Sequence, residues 1–165
     1  LFFIELGSRR VHLAGCTANP SGAWVTQQAR ALAWGLAERS TSVRFLIRDR
    51  ASKFTRDFDI VFRSEGIEII RTPVRAPKAN AVAERFVRTV RAECLDWLLI
   101  LNRRHLDRVL RVFVEHYNGH RPHRALNLMP PDPRRPLLRL ATSAPDRLER
   151  RDRLGGLIHE YGFAA

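Results

Sequence analysis

Two acidic residues stand at positions where phosphate chemistry is easily built. Asp49 ends the apolar run of "RFLIRDRASKF" (44–54), between Arg48 and Arg50, and Glu84 follows a proline-rich stretch at the start of a helical pattern. A carboxylate at a strand end serves as a turn former, a salt-bridge partner or a metal ligand, and in α/β sheets reactive groups gather beyond the carboxyl ends of strands. Two hard oxygen donors meeting there would suit Mg²⁺, which keeps several waters and takes one or two carboxylates. A pair of such ions could activate a nucleophile and stabilise a leaving oxygen in phosphodiester chemistry. Spacing alone also allows a plain turn aspartate and a glutamate placed by the positive end of a helix dipole.

The neighbours of Glu84 favour the first reading. Positions i+4 and i+7 share its helix face, and they are Arg88 and Arg91. Val82, Phe86, Val90 and Cys94 form a separate apolar stripe for packing. A carboxylate in line with two arginines is poor core and good polyanion surface, although a solvated i,i+4 ion-pair face has the same pattern. The whole composition agrees. Twenty-nine Lys+Arg against 17 Asp+Glu give a net charge of +12 over 165 residues, and the basic residues are almost all arginine. Arginine suits bidentate contact with phosphate, so nucleic acid is the first partner expected.

The elements that must position these groups follow from periodicity. "LFFIEL" and "RRVHLAG" read as a hairpin, and "SGAWVTQQARALAWGLAER" as a helix capped by Ser21, with Val25, Ala29, Leu32 and Leu36 inward. "SVRFLIRD" reads as a strand apolar enough to be central in a sheet. Phe54, Phe58, Val61 and Phe62 recur at helical spacing, with Gly66 as the stop before the strand "IEIIRT". A long helix is predicted from about Asn80 to Leu99 and another from about His105 to Tyr117, with Leu106, Leu110, Phe113, Val114 and Tyr117 inward. This order implies an α/β fold, a mixed sheet with helices on both faces. Past the proline-rich "RPHRALNLMPPDPRRP" the chain reads as an Arg-rich tail, with "GGLIHEY" as one short strand.

Three motifs in order, "IRDRASKF", "EGIEIIRTPVRAPKANAVAERFVRTVRAECLD" and "HYNGHRPHRAL", resemble the catalytic core of bacterial insertion-sequence transposases, which is retroviral-integrase-like. The resemblance covers residues 1–133 as a catalytic core and leaves 134–165 as a basic C-terminal tail. It implies an RNase H-like fold, DNA strand cleavage and strand transfer, a three-carboxylate site for two Mg²⁺ or Mn²⁺ ions, and a homo-oligomeric active complex. It implies that Asp49 and Glu84 are the second and third catalytic, metal-binding acids. Lys78, Asn80, Arg88 and Arg91 take DNA-binding positions by the same resemblance.

Two departures stand out. The family's first acid lies on a strand that precedes the hairpin, and that first strand is missing here. Glu5 is acidic but matches a position outside the triad. Ala51 stands where a polar residue or Gly is usual, which would loosen the turn at Asp49. The expectation is therefore a truncated chain, inactive or weakly active alone, in the cytoplasm of a bacterium and on the nucleoid when bound to DNA. The alternatives are a DNA-binding remnant without chemistry and an RNase H-like nuclease, the latter disfavoured by "APKANAVAERF" and "RPHRAL".

Other groups bear less weight. His116, His120 and His123 lie close together, but no cysteine pair accompanies them and the following proline argues against a helical i,i+4 zinc pair, so structural or DNA-proximal roles are expected. Trp24, Trp34 and Trp97 read as core or interface residues. Cys16 and Cys94 are expected to be free thiols. No apolar run approaches the ~18 residues of a membrane span, so no membrane partner is expected.

Overall fold

The computed structural model describes residues 1–37, 43–74, 80–132 and 148–163. Its elements are β1 (Phe2–Ile4), β2 (Val11–Leu13), α1 (Gly22–Ala37), β3 (Phe45–Arg48), α2 (Arg56–Ser64), β4 (Glu68–Arg71), α3 (Ala81–Glu93), α4 (Arg103–Gly119), β5 (Leu148–Arg153) and β6 (Ile158–Phe163). The chain divides into two compact units. One comprises Leu1–Phe3 and His12–Val87, the other Ile4–Val11 and Arg88–Ala165.

The first unit grows from the Phe periodicity of α2. Phe58 and Phe62 are fully buried and join Val25 and Ala29 of α1 and Ile67 in one core cluster, against which Phe3, Leu46, Phe54 and Ile69 pack. The Phe58 and Phe62 rings meet edge-on at 5.1 Å, an arrangement that adds to plain burial. Gly66 ends α2 as expected. Its φ of +74° lets the Gly66 N–H reach Arg63 O at 3.0 Å and the Ile67 N–H reach Phe62 O at 3.0 Å, the paired bonds of a Schellman stop. The chain then enters β4, which pairs parallel with β3 in the register Leu46↔Ile69 and Arg48↔Arg71.

The second unit is organised on α4. Asn102 caps it, its side chain accepting from His105 N at 2.9 Å, and Val109, Phe113, Val114 and Tyr117 are buried. β5 and β6 form an antiparallel hairpin with Leu148 opposite Phe163. Its buried Glu160 faces His116 of α4 at 3.3 Å.

The mixed α/β character holds, but the single mixed sheet does not. Among the described residues the strands form three separate two-stranded sheets, β1–β2, β3–β4 and β5–β6. β3 is accordingly not central. Among the described strands it pairs with β4 alone, and Phe45 and Ile47 alternate outward at 47% and 39% exposure. The helix predicted to reach Leu99 stops at Glu93. Cys94 leaves helical geometry (φ −142°, ψ −66°), Leu95–Trp97 form a 3₁₀ turn, and the Trp97 indole N–H takes the carbonyl of Ala92 at 2.8 Å. Trp34 and Trp97 are not core residues, being 76% and 71% exposed. α4 runs past Tyr117, so His116 and His120 do stand at i,i+4, their rings parallel at 6.0 Å. No described helix is long and apolar enough to cross a membrane.

Candidate functional site

Asp49 sits one residue beyond β3, where the carboxyl ends of two parallel strands meet. Thr72 N donates to Arg48 O at 2.9 Å and Arg50 Nε donates to Thr72 O at 3.0 Å, which ties the two strand exits together. The half-buried Asp49 accepts the Ala51 N–H on Oδ1 at 2.9 Å. This closes an aspartate turn through a backbone donor, so the turn forms with Ala51 in place of a polar residue. Oδ2 has no protein donor among the described residues.

The strongest electrostatic feature beside Asp49 escaped the sequence reading. Arg48, 7% exposed, sends Nε and Nη2 to the two oxygens of Asp59 on α2 at 2.7 and 2.8 Å. Asp59 is 1% exposed and also accepts Arg71 Nη2 at 3.0 Å. Arg48 Nη1 donates to the main-chain oxygen of Asp49 at 2.8 Å. Burial raises the Asp59 carboxyl, but the hydrogen bonds and charges of Arg48 and Arg71 outweigh it and hold Asp59 below the ordinary carboxylate range. In sequence Asp59 looks like any acid in the first turn of a helix. Its partners arrive only through the β3–β4 pairing.

Glu84 lies in the first turn of α3, exposed and without a partner among the described residues. Asn80 precedes the helix and is half-buried; Lys78 lies outside the described residues. Arg88 and Arg91 are exposed, Arg91 standing 3.8 Å from Asp96, a loose surface pair that leaves it available to an anion. Phe86, Val90 and Cys94 are buried as the second stripe of the helix. Burial pushes the Cys94 thiol up to about 11, which makes it inert packing.

The "HYNGHRPH" residues build scaffold. The Asn118 carboxamide donates to Val11 O at 2.8 Å and accepts Val11 N–H at 2.9 Å, occupying the edge of β2 as a neighbouring strand would. Arg121 forks onto Glu93 at 2.8 and 2.6 Å and lies over the Tyr117 ring, which His123 meets edge-on at 4.6 Å. Desolvation holds His116 below its usual value despite Glu160. Glu5 accepts from Ser8 Oγ, a turn role in the β1–β2 hairpin. An open pocket of about 500 Å³ in the second unit, walled by Leu98, His105, Arg108, Val109 and Arg151, contains none of the candidate residues.

Asp49 and Glu84 both belong to the first unit. As hard oxygen donors with open lone pairs they fit a divalent cation in kind, and Mg²⁺ accepts one or two protein carboxylates. Among the described residues no group of three or more His, Cys, Asp or Glu is arranged to hold a metal. Comparison with known families places the motifs: residues 65–131 match the integrase core domain. The matched stretch contains Lys78, Asn80, Glu84, Arg88 and Arg91 and begins after Asp49. No curated protein matches the chain.

Proposed function

We propose, taking the integrase core domain of residues 65–131 as premise, that this chain acts in DNA integration or transposition by metal-dependent phosphoryl transfer. Integrase-type domains work on DNA and generally depend on divalent metal. The observation that carries the reading beyond the matched stretch is Asp49. It stands at the joint carboxyl ends of β3 and β4, with one carboxylate oxygen tied to Ala51 N–H and the other open. An RNase H-like parentage accounts for the parallel β3–α2–β4 unit and the carboxylate-bearing helix α3.

In this reading Asp49 and Glu84 hold the cation, which when bound would stabilise charge on the phosphate oxygens. Arg88 and Arg91 grip the DNA backbone as point-by-point phosphate contacts, and Lys78 and Asn80 add to the same DNA-binding set. The arginines neutralise the strand and set its register. A purely DNA-holding role is the second reading, favoured by the lack, among the described residues, of a group of three or more His, Cys, Asp or Glu arranged to hold a metal.

One experiment addresses both. The purified chain is titrated with a labelled terminal-repeat duplex over a range of salt, with Mn²⁺ present. Arg88→Ala combined with Arg91→Ala is expected to flatten the log K against log salt slope by about 2. An unchanged slope removes the α3 stripe from the DNA surface. Robust strand transfer in the same samples would mean that a further ligand completes the site.

A further inference from the structure

We infer that the Arg48–Asp59 pair is a positioning device for Asp49, a clamp that uses helix α2 to fix the peptide unit carrying the metal-facing carboxylate. The inference rests on the reading of Asp49 as a cation ligand. Its geometry is independent of that reading.

The arrangement asks for an explanation because a buried ion pair is an expensive way to join a strand to a helix. Well-packed apolar residues of similar volume often do as well or better. Here the guanidinium has a third task that no apolar residue could take. Nε and Nη2 fork onto Asp59 at 2.7 and 2.8 Å while Nη1 reaches the Asp49 carbonyl at 2.8 Å. Three donors in one rigid plane thus lock the Asp49 carbonyl to α2. Lysine, with a point charge on a flexible stem, cannot hold both sides of a planar fork. The guanidinium carbon also lies over the Phe54 ring, 5.8 Å from its centroid, and Arg71 donates to Asp59 as well.

The turn beyond completes the restraint. Ala51 N–H holds Asp49 Oδ1, and Phe54 N–H holds Ala51 O at 3.0 Å. Asp49 is then tied at its carbonyl and at one carboxylate oxygen, while Oδ2 has no protein donor among the described residues. Mg²⁺ demands near-ideal octahedral placement, and a functional group must be held within about 0.5 Å to act. A half-buried turn could not do this on its own with only Ala51 behind it. The buried pair supplies the rigidity that a side chain at position 51 does not.

The test separates the clamp from the ligand reading by measuring each on its own signal. Amide hydrogen exchange in the full chain reports the clamp without any metal. Arg48→Lys is expected to keep the far-UV circular dichroism of the parent and the slow exchange of Ala29 in α1, while Ala51 exchanges about tenfold faster. Asp59→Asn, which keeps the shape and one acceptor, should move Ala51 in the same direction and serves if Arg48→Lys does not fold. Val25→Ala weakens the same core without touching a clamp group, and should leave the ratio of Ala51 to Ala29 exchange as in the parent.

Mn²⁺ alone, followed by water-proton relaxation, reports the ligand. Asp49→Asn and Arg48→Lys should both weaken its binding several-fold. Unchanged Ala51 exchange in both clamp variants, or an equal change in Val25→Ala, overturns the clamp. An Asp49→Asn chain that binds Mn²⁺ like the parent overturns the ligand reading, and the clamp's purpose with it, even where Ala51 exchange has responded.

Discussion

Asp59→Ala is expected to destabilise the chain by about 3–5 kcal/mol in chemical denaturation, because it leaves the Arg48 guanidinium buried without a counter-charge. Arg48 is 7% exposed and cannot turn to solvent without opening the β3–α2 contact. Removing both members should cost far less. In Arg48→Met combined with Asp59→Leu the apolar side chains refill the space and no charge is stranded, so the double variant should be more stable than Asp59→Ala. A double-mutant cycle that found the two changes simply additive would show that the pair does not act as a unit.

The same pair predicts a pH dependence whose sign follows from linkage. Asp59 titrates lower in the folded protein than in the unfolded chain, where its pKa is about 3.9. Between those two values the unfolded state binds the extra proton, so stability rises with pH. The contribution is fully present above the unfolded value and is lost as pH falls through the folded one. The Arg48→Met, Asp59→Leu chain lacks this segment, and its stability should fall less steeply below about pH 4.

Asn118→Ala is the second large effect expected, on the order of 2–4 kcal/mol, since it strands two buried backbone groups rather than merely deleting a side chain. Val11 is 2% exposed, and Asn118 satisfies both its N–H and its C=O. Asn118→Asp discriminates this account from simple loss of volume. Its carboxylate still accepts from Val11 N–H but repels Val11 C=O, so at neutral pH it should be nearly as damaging as alanine. Protonation restores a donor, and the Asn118→Asp chain should gain stability relative to wild type as pH falls through its raised pKa. Equal losses at every pH would show that shape, not pairing, is what Asn118 supplies.

Much of the local structure was readable because its causes are local. The four-residue recurrence of Phe54, Phe58 and Phe62 marks a buried helix face, and Gly66 marks the left-handed stop that only glycine adopts cheaply. Ser21 announces a helix start by the oxygen it offers to the Trp24 N–H three residues on, whereas the Asn102 cap, three residues before the expected start at His105, was not singled out. The position of Asp49 after an apolar run predicts a strand exit, and β3 ends one residue before it. Boundaries were less readable. Nothing periodic distinguishes Cys94 from the helix before it, and α3 ends there because the indole of Trp97 folds back on Ala92.

Pairings between distant segments were not readable at all. Whether Asp59 is a solvated helix-start acid or the buried half of a charge clamp depends on where Arg48 and Arg71 end up. That is decided by the parallel register of β3 and β4. Asn118 meets Val11 across 107 positions, and Glu160 meets His116 across 44. Neither has a sequence-local trace.

The division is a physical one. Periodicity, caps, turns and charge act over a few residues, so the amino-acid sequence by itself determined the helices, the strand that delivers Asp49, the Glu84–Arg88–Arg91 face and the strongly basic charge. Burial and hydrogen-bond pairing act only once distant segments meet. The tertiary structure alone decided that the strands form three small sheets, that Asn118 stands in for a neighbouring strand, and that a buried arginine grips the carbonyl of Asp49.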